Sequence, residues 1–272
     1  MAIVSICRGS KSGGQALAEC LADYLDYPLL GREILQTTAT AFGVSEEEVT
    51  HHFHRSPTVW DRHAAIRRVY VVAVQATLAE HLSTGNLVYH GLAGQVLLRG
   101  LPSVMRIRLI APVEMRVRVL MESDGMTRSA ADQHIRTVDA ARARWVKMMY
   151  GEHIEDPTLY DMVINVATMS IPTACDFIAV GLQQPEFAVT DDVLSQFGDF
   201  RVACRVKLAL VSESETRGLP LEVKAHAGVV TVSGSAPMLA TGETGDRIAA
   251  IARGVRGVKE VRLKVQWFDP YP

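Results

Sequence analysis

The stretch Ala2-Ile3-Val4-Ser5-Ile6-Cys7-Arg8-Gly9-Ser10-Lys11-Ser12-Gly13-Gly14-Gln15 opens with a short apolar, β-rich run, as a buried parallel strand reads. A glycine- and serine-rich segment follows, and then Leu17, Leu21 and Leu25 fall on one helical face. Outward from this unit the chain keeps alternating. Residues 60–82 form a long apolar-periodic stretch that stops at Ser83-Thr84-Gly85, a helix end. Segments 87–90 and 104–111 read as further buried strands, with helices expected around 113–124, 128–150 and 172–182. Strands alternating with helices predict an open, mostly parallel α/β sheet flanked by helices and ending near residue 183.

The chain has 272 residues, enough for one large domain or two ordinary ones. Hydrophobic residues at 48% and charged residues at 21% exclude a disordered or collagen-like chain. Aromatics are 6%, so the core rests on aliphatic side chains and Met. A formal charge of −2 argues against a dedicated nucleic-acid binder. No apolar run reaches the roughly eighteen residues of a membrane span, and the N-terminus reads straight into a strand rather than a signal peptide. The expected location is cytoplasmic. The four cysteines, at 7, 20, 175 and 204, form no CxxC pair, so reduced structural thiols are expected.

Residues 184–198, with Gln184-Pro185-Glu186-Phe187 at their start just after Gln183, suit a linker. Charge then changes sign. Residues 199–272 hold eleven Lys and Arg against eight Asp and Glu, leaving seventeen against twenty-two elsewhere. This tail reads as a helix over 200–211, strands over 221–226 and 229–233 with Gly228 at the turn, a helix carrying Ile248, Ile251 and Val255, and a strand over 258–266. The order αββαβ is that of a small two-layer α+β domain over 199–268.

Chemistry concentrates in the first loop. Glycines let backbone amides approach a ligand, and the following helix start adds positive potential, so Arg8 to Gln15 is an anion cradle suited to phosphate. The phosphate-loop pattern GxxxxGK[ST] fits only in part. Gly9 and Gly14 are correctly spaced, but Gln15 and Ala16 then occupy the Lys and Ser/Thr places. A turn used only for packing is the alternative.

This opening resembles that of the cytidylate kinase-like proteins, a divergent branch of the P-loop nucleoside monophosphate kinases. The resemblance continues through Tyr27-Pro28-Leu29-Leu30-Gly31-Arg32-Glu33-Ile34, Leu87-Val88-Tyr89-His90-Gly91 and Ala111-Pro112-Val113-Glu114-Met115-Arg116. It is strongest at Val138-Asp139-Ala140-Ala141-Arg142-Ala143-Arg144-Trp145 and from Asp156-Pro157 through Tyr160-Asp161 to Asn165. It implies a P-loop fold with a helical lid that moves a phosphoryl group from ATP, with Mg²⁺, to a nucleoside monophosphate. It also implies that Arg8, Gly9, Ser10, Lys11, Ser12, Gly13, Gly14 and Gln15 bind the nucleotide, with Lys11, Asp139, Arg142 and Arg144 in the catalytic set and no protein metal ligand assigned. Arg136, Asp139, Arg142, Arg144 and Lys147 would belong to the lid, although 142 and 144 cannot share one helical face.

Two departures from the family's pattern stand out. Aligned on the strand and paired glycines, the loop lysine falls at Gly14. The Gly-Arg-Asp-type segment that holds a CMP acceptor is replaced by His90-Gly91-Leu92-Ala93-Gly94, and leucine offers no donors. Losing one preorganised donor typically costs roughly 10²–10³ in rate. Two readings therefore stand: an active monophosphate kinase, and a nucleotide-sensing pseudokinase. Elsewhere, His51, His52 and His54 read as an exposed turn, and Trp60, Tyr70 and Met121 as core or interface residues. Asp61-Arg62 reads as a surface pair, and His90 as a structural residue at a strand end.

Gly228-Val229-Val230-Thr231-Val232-Ser233-Gly234 and Val255-Arg256-Gly257-Val258-Lys259-Glu260-Val261 resemble a BON domain. That resemblance implies attachment to a phospholipid surface or a protein, with Arg247, Arg253, Arg256, Lys259, Arg262 and Lys264 as a basic face. The expected partners are thus a nucleotide, such a surface and a second copy of the chain, and no nucleic acid.

Overall fold

The computed structural model describes residues 2–31, 33–42, 45, 47, 64–91, 93–237 and 241–268. The readings placed on His51, His52, His54, Trp60, Asp61, Arg62 and Leu92 lie outside these residues. By its internal contacts the chain forms two units, Met1–Val59 with Thr84–Thr190, and Trp60–Ser83 with Asp191–Pro272.

The first unit is built on five parallel strands: β1 (Ile3–Arg8), β2 (Leu29–Leu30), β3 (Leu87–Tyr89), β4 (Val104–Ile110) and β5 (Met162–Asn165), in the order β2-β3-β1-β4-β5. Its helices are α1 (Gly14–Leu25), α2 (Glu33–Phe42), a single turn α4 (Gly94–Leu97), α5 (Val113–Asp124), α6 (Arg128–Tyr150) and α7 (Ile171–Gly181). The expected flanked parallel sheet is present.

Side chains alternate across the pleat. Val4 and Ile6 of β1, with Val88, Ile107 and Leu109, pack against Leu17, Ala18 and Leu21 of α1 and Ala174, Cys175 and Ile178 of α7 in one apolar core. The other face carries polar residues, because Ser5 stands opposite Tyr89 and Arg106, and Cys7 opposite Arg108. There Arg108 donates to the Ile154 carbonyl and to the Tyr160 hydroxyl (3.4 Å), while Tyr160 donates to the Ile154 carbonyl at 2.7 Å. β1 is therefore buried on both faces, as its largely apolar run predicts, yet the faces differ in chemistry.

The second unit contains α3 (Ala64–Glu80), α8 (Asp191–Ser212), β6 (Leu221–His226), β7 (Val229–Pro237), α9 (Thr241–Arg253) and β8 (Glu260–Phe268). β6 and β7 are antiparallel, and β7 and β8 parallel. Ala227 (φ 52°) and Gly228 (φ 86°) form the two-residue turn between β6 and β7, both in the left-handed region that such a hairpin demands. Val206, Leu210, Val230, Val232, Ile248 and Ala252 form the core. The αββαβ order from α8 to β8 matches expectation.

Two differences are structural. α8 begins at Asp191, so residues expected as linker hold a 3₁₀ turn (Pro185–Phe187) and the first turns of this helix. Asp191 and Asp192 in its first turn favour the helix start electrostatically, although they read as polar linker. The helix expected over 60–82 is α3, with a 3₁₀ turn His81–Thr84 after it. It groups with the second unit because Ala76 and Ala79 pack on Cys204 and Phe200, and Glu80 receives both fork bonds of Arg205 (2.5 and 2.6 Å). Among the described residues, no helix is long and apolar enough to cross a membrane.

Candidate functional site

The loop at the carboxyl end of β1 is where an open parallel sheet offers a ligand crevice. Its path is set by Lys11 (φ 55°) and Gly13 (φ 83°), both left-handed. Gly13 is the N-cap and α1 starts at Gly14; aligned on the strand and the paired glycines, Gly14 stands at the lysine place of the pattern and Gln15 at the hydroxyl place. The Ser12 hydroxyl bonds to the Gly9 carbonyl at 3.0 Å and lies 3.4 Å from the Leu109 carbonyl, tying the loop to β4. α1 has no side-chain cap and no acidic residue in its first turn, so its free N–H groups and positive dipole end suit an anion.

Cations gather beside this helix start. The Arg8 side chain lies across Gly14: a Cβ at Gly14 would overlap Arg8 Cδ and stand 3.0 Å from His90 Nε2. Arg142 of α6 reaches the Arg8 carbonyl at 3.5 Å. Burial, and then the Arg142 charge, push the Arg8 guanidinium down to about 10. Burial also lowers Arg142, against the opposing pull of Asp139. Burial, with Arg8 and Arg142 adding to it, pushes His90 down to about 3, so its imidazole is neutral at pH 7. Among the described residues, His90 Nε2 is buried without a hydrogen-bond partner. Two repelling guanidiniums, a neutral imidazole with an orphaned nitrogen and an uncapped helix start are complementary to an anion that accepts hydrogen bonds. The Cys7 thiol nearby is pushed up by burial, which keeps it protonated and a poor nucleophile.

Asp139 joins helix to loop. Its Oδ1 accepts from the Ser10 amide at 2.8 Å and its Oδ2 from Arg116 at 2.5 Å, and Arg116 also donates to the Ser10 carbonyl at 3.2 Å. α5 and α6 form a hairpin closed by Val117, Leu120, Ala131 and Ile135. The structure thus brings Arg8, Ser10, Asp139 and Arg142 together. Lys11 points to the end of α5, where its ammonium meets Asp124 at 3.2 Å and Ser123 at 3.4 Å. Arg144, two residues and about 200° beyond Arg142 around the helix, is exposed. The Gln15 amide donates to Glu19 at 2.7 Å.

Sequence reasoning missed Arg116 and took His90 as structural. Arg116 was visible only as the end of the Ala111–Arg116 segment, and nothing local pairs it with a carboxylate twenty-three residues on.

The loop fits nucleotide phosphates, by the orphaned His90 nitrogen and the Arg8 side chain beside the uncapped start of α1. It does not fit a protein-held Mg²⁺: Gln15 replaces the ligating hydroxyl, Ser12 is engaged by backbone carbonyls, and no metal-binding cluster occurs among the described residues.

None of the curated proteins matches the chain. Among solved structures the fold is similar to an uncharacterized protein from Eubacterium ventriosum ATCC 27560 (19% identity, covering 68% of this chain and 99% of that one, TM-score 0.50). It is also similar to a shikimate kinase from Acinetobacter baumannii in complex with shikimate (13% identity, 67% and 93% covered, TM-score 0.41) and to a gluconokinase from Sinorhizobium meliloti 1021 (14%, 66% and 95%, TM-score 0.37). The family described as cytidylate kinase-like matches residues 3–168, from β1 through the loop and hairpin to just past β5. With the parallel sheet, the loop that opens α1 and the Asp139–Ser10 tie all inside that span, the chain belongs to the cytidylate kinase-like family.

Proposed function

We propose that the first unit binds ATP with its phosphates in the loop from Arg8 to Gln15 and transfers the terminal phosphoryl group to a nucleoside monophosphate. The observation that carries this reading is the pairing of Arg8 and Arg142 at the uncapped start of α1, with no carboxylate bonded to the Arg8 side chain among the described residues. A phosphate oxygen of the acceptor would attack the γ-phosphorus as the bond to ADP breaks. Such transfer asks little covalent chemistry of a protein and much positioning and charge stabilisation. Arg142 would neutralise charge on the transferring group, and Lys11 would exchange Asp124 for phosphate at the rim. Asp139 and Arg116 would position the α5–α6 hairpin as a lid that excludes water. Mg²⁺ would arrive with the nucleotide, held by phosphate oxygens and water. The αββαβ portion of the second unit would act as a BON-type module, attaching the enzyme to a protein or phospholipid surface in the cytoplasm.

A second reading, nucleotide sensing without transfer, is favoured by Gly14 at the lysine place and by Gln15, held by Glu19, at the hydroxyl place. ADP release from ATP and Mg²⁺ across a panel of nucleoside and deoxynucleoside monophosphates separates the two. Acceptor-stimulated turnover establishes the kinase. A flat panel from a chain that still binds ATP establishes the sensor.

A further inference from the structure

In the register aligned on the strand and the paired glycines, the pattern GxxxxGK places its first glycine at position 8 and its lysine at position 14, the first residue of α1. This chain has the reverse, Arg8 and Gly14. The two departures meet in space, because the Arg8 stem lies where a side chain at 14 would have to start: a Cβ at Gly14 would overlap Arg8 Cδ and approach Arg8 Cγ to 3.1 Å. We infer that cation and glycine have exchanged places in this loop, so that Arg8 supplies from the strand the phosphate contact that a lysine would supply from the helix, with Gly14 making the room. This rests on the nucleotide-phosphate reading and deepens it by naming the residue and the ligand group, a polyphosphate.

Several observations converge on Arg8. No carboxylate bonds to its side chain among the described residues, and burial and then the Arg142 charge oppose its own. His90 Nε2, buried and without a hydrogen-bond partner among the described residues, stands 3.0 Å from where a Cβ at Gly14 would lie, beside the Arg8 stem. A guanidinium carries parallel N–H donors that match two phosphate oxygens, and burial does not discharge it at neutral pH. A lysine ammonium in the same half-buried place would lose its proton more readily. Lys11, by contrast, is engaged at the rim by Asp124 and Ser123.

The test is a reciprocal exchange in the full chain, read by calorimetric titration with ATP and with inorganic tripolyphosphate, and with circular dichroism to verify folding. Arg8→Gly should weaken both ligands by at least about tenfold, the loss of one charge-assisted contact. Gly14→Lys alone should also weaken them, because the new side chain displaces Arg8. The double variant Arg8→Gly/Gly14→Lys restores the order of the common pattern and should recover binding to within about fivefold of the wild type. Equal affinity in Arg8→Gly, or a folded double variant no better than the weaker single one, overturns the inference. A measurement on the wild type covers the case in which variants unfold: phenylglyoxal modification mapped by mass spectrometry. Tripolyphosphate should protect Arg8, and an unchanged modification rate at saturating tripolyphosphate overturns the proposal. If the wild type binds neither ATP nor tripolyphosphate, the nucleotide reading falls and takes this inference with it. If it binds both and Arg8→Gly matches it, only the exchange is refuted.

Discussion

Lowering the pH from 7 to 5 perturbs His90 before it touches the carboxylates, and the size of the effect follows from its surroundings. The imidazole is 5% exposed, and burial together with Arg8 and Arg142 moves it from an ordinary 6.5 to about 3. In the unfolded chain His90 takes up a proton as the pH falls through 6.5. In the fold it does not do so until about 3. The unfolded state therefore gains a proton that the native state refuses, and stability is lost as pH falls across that window. From these two values the loss between pH 7 and pH 5 is about 2 kcal/mol at 1.36 kcal/mol per unit. The assay is urea unfolding at both pH values for the wild type and His90→Gln. The variant should lose about 2 kcal/mol less than the wild type over the interval, whatever its absolute stability. Identical pH dependence in the two proteins, or an NMR titration showing the His90 imidazole protonating near 6.5, would refute the reasoning.

Three further outcomes are expected. Gly94→Ala places a Cβ on Ser5 Oγ and 2.7 Å from Tyr89 Cδ1, so thermal unfolding should show a loss of about 1–3 kcal/mol. Lys11→Ala should lower ATP affinity less than about tenfold by calorimetry, since its half-exposed ammonium already has partners in Asp124 and Ser123; a loss beyond a hundredfold would move the phosphate seat to Lys11. Arg205→Ala breaks the two-bond fork to Glu80 and should lower stability by about 1 kcal/mol, with Glu80→Ala no worse in its background.

What the sequence made legible follows from length and pattern. β1, its loop and α1 could be read because a run of five apolar residues broken only by Ser5, paired glycines and three leucines at helical spacing each leave a strong local trace. α5, α6 and α7 were placed within a residue for the same reason. β2 has two residues and α4 four, too few to show any period, and β5 mixes Met162 and Ile164 with exposed positions. The site was legible where its residues are near in sequence to the loop or repeat at three-residue spacing, as Asp139 and Arg142 do. It was hidden where chemistry comes from register between distant strands. His90 meets Arg8 only because β3 lies beside β1, and Arg116 meets Asp139 only because the hairpin folds back. The grouping of α3 with α8 was likewise invisible, since its apolar period says that one face is buried but not against what.

The measurement that bears most directly on the account is a calorimetric titration of ATP with Mg²⁺ into the full chain, with Arg142→Ala alongside. The account predicts one saturable site in the wild type, weakened at least about tenfold in the variant through loss of a charge-assisted phosphate contact. An absence of saturable binding in folded wild-type protein, or equal affinity in Arg142→Ala, would contradict it.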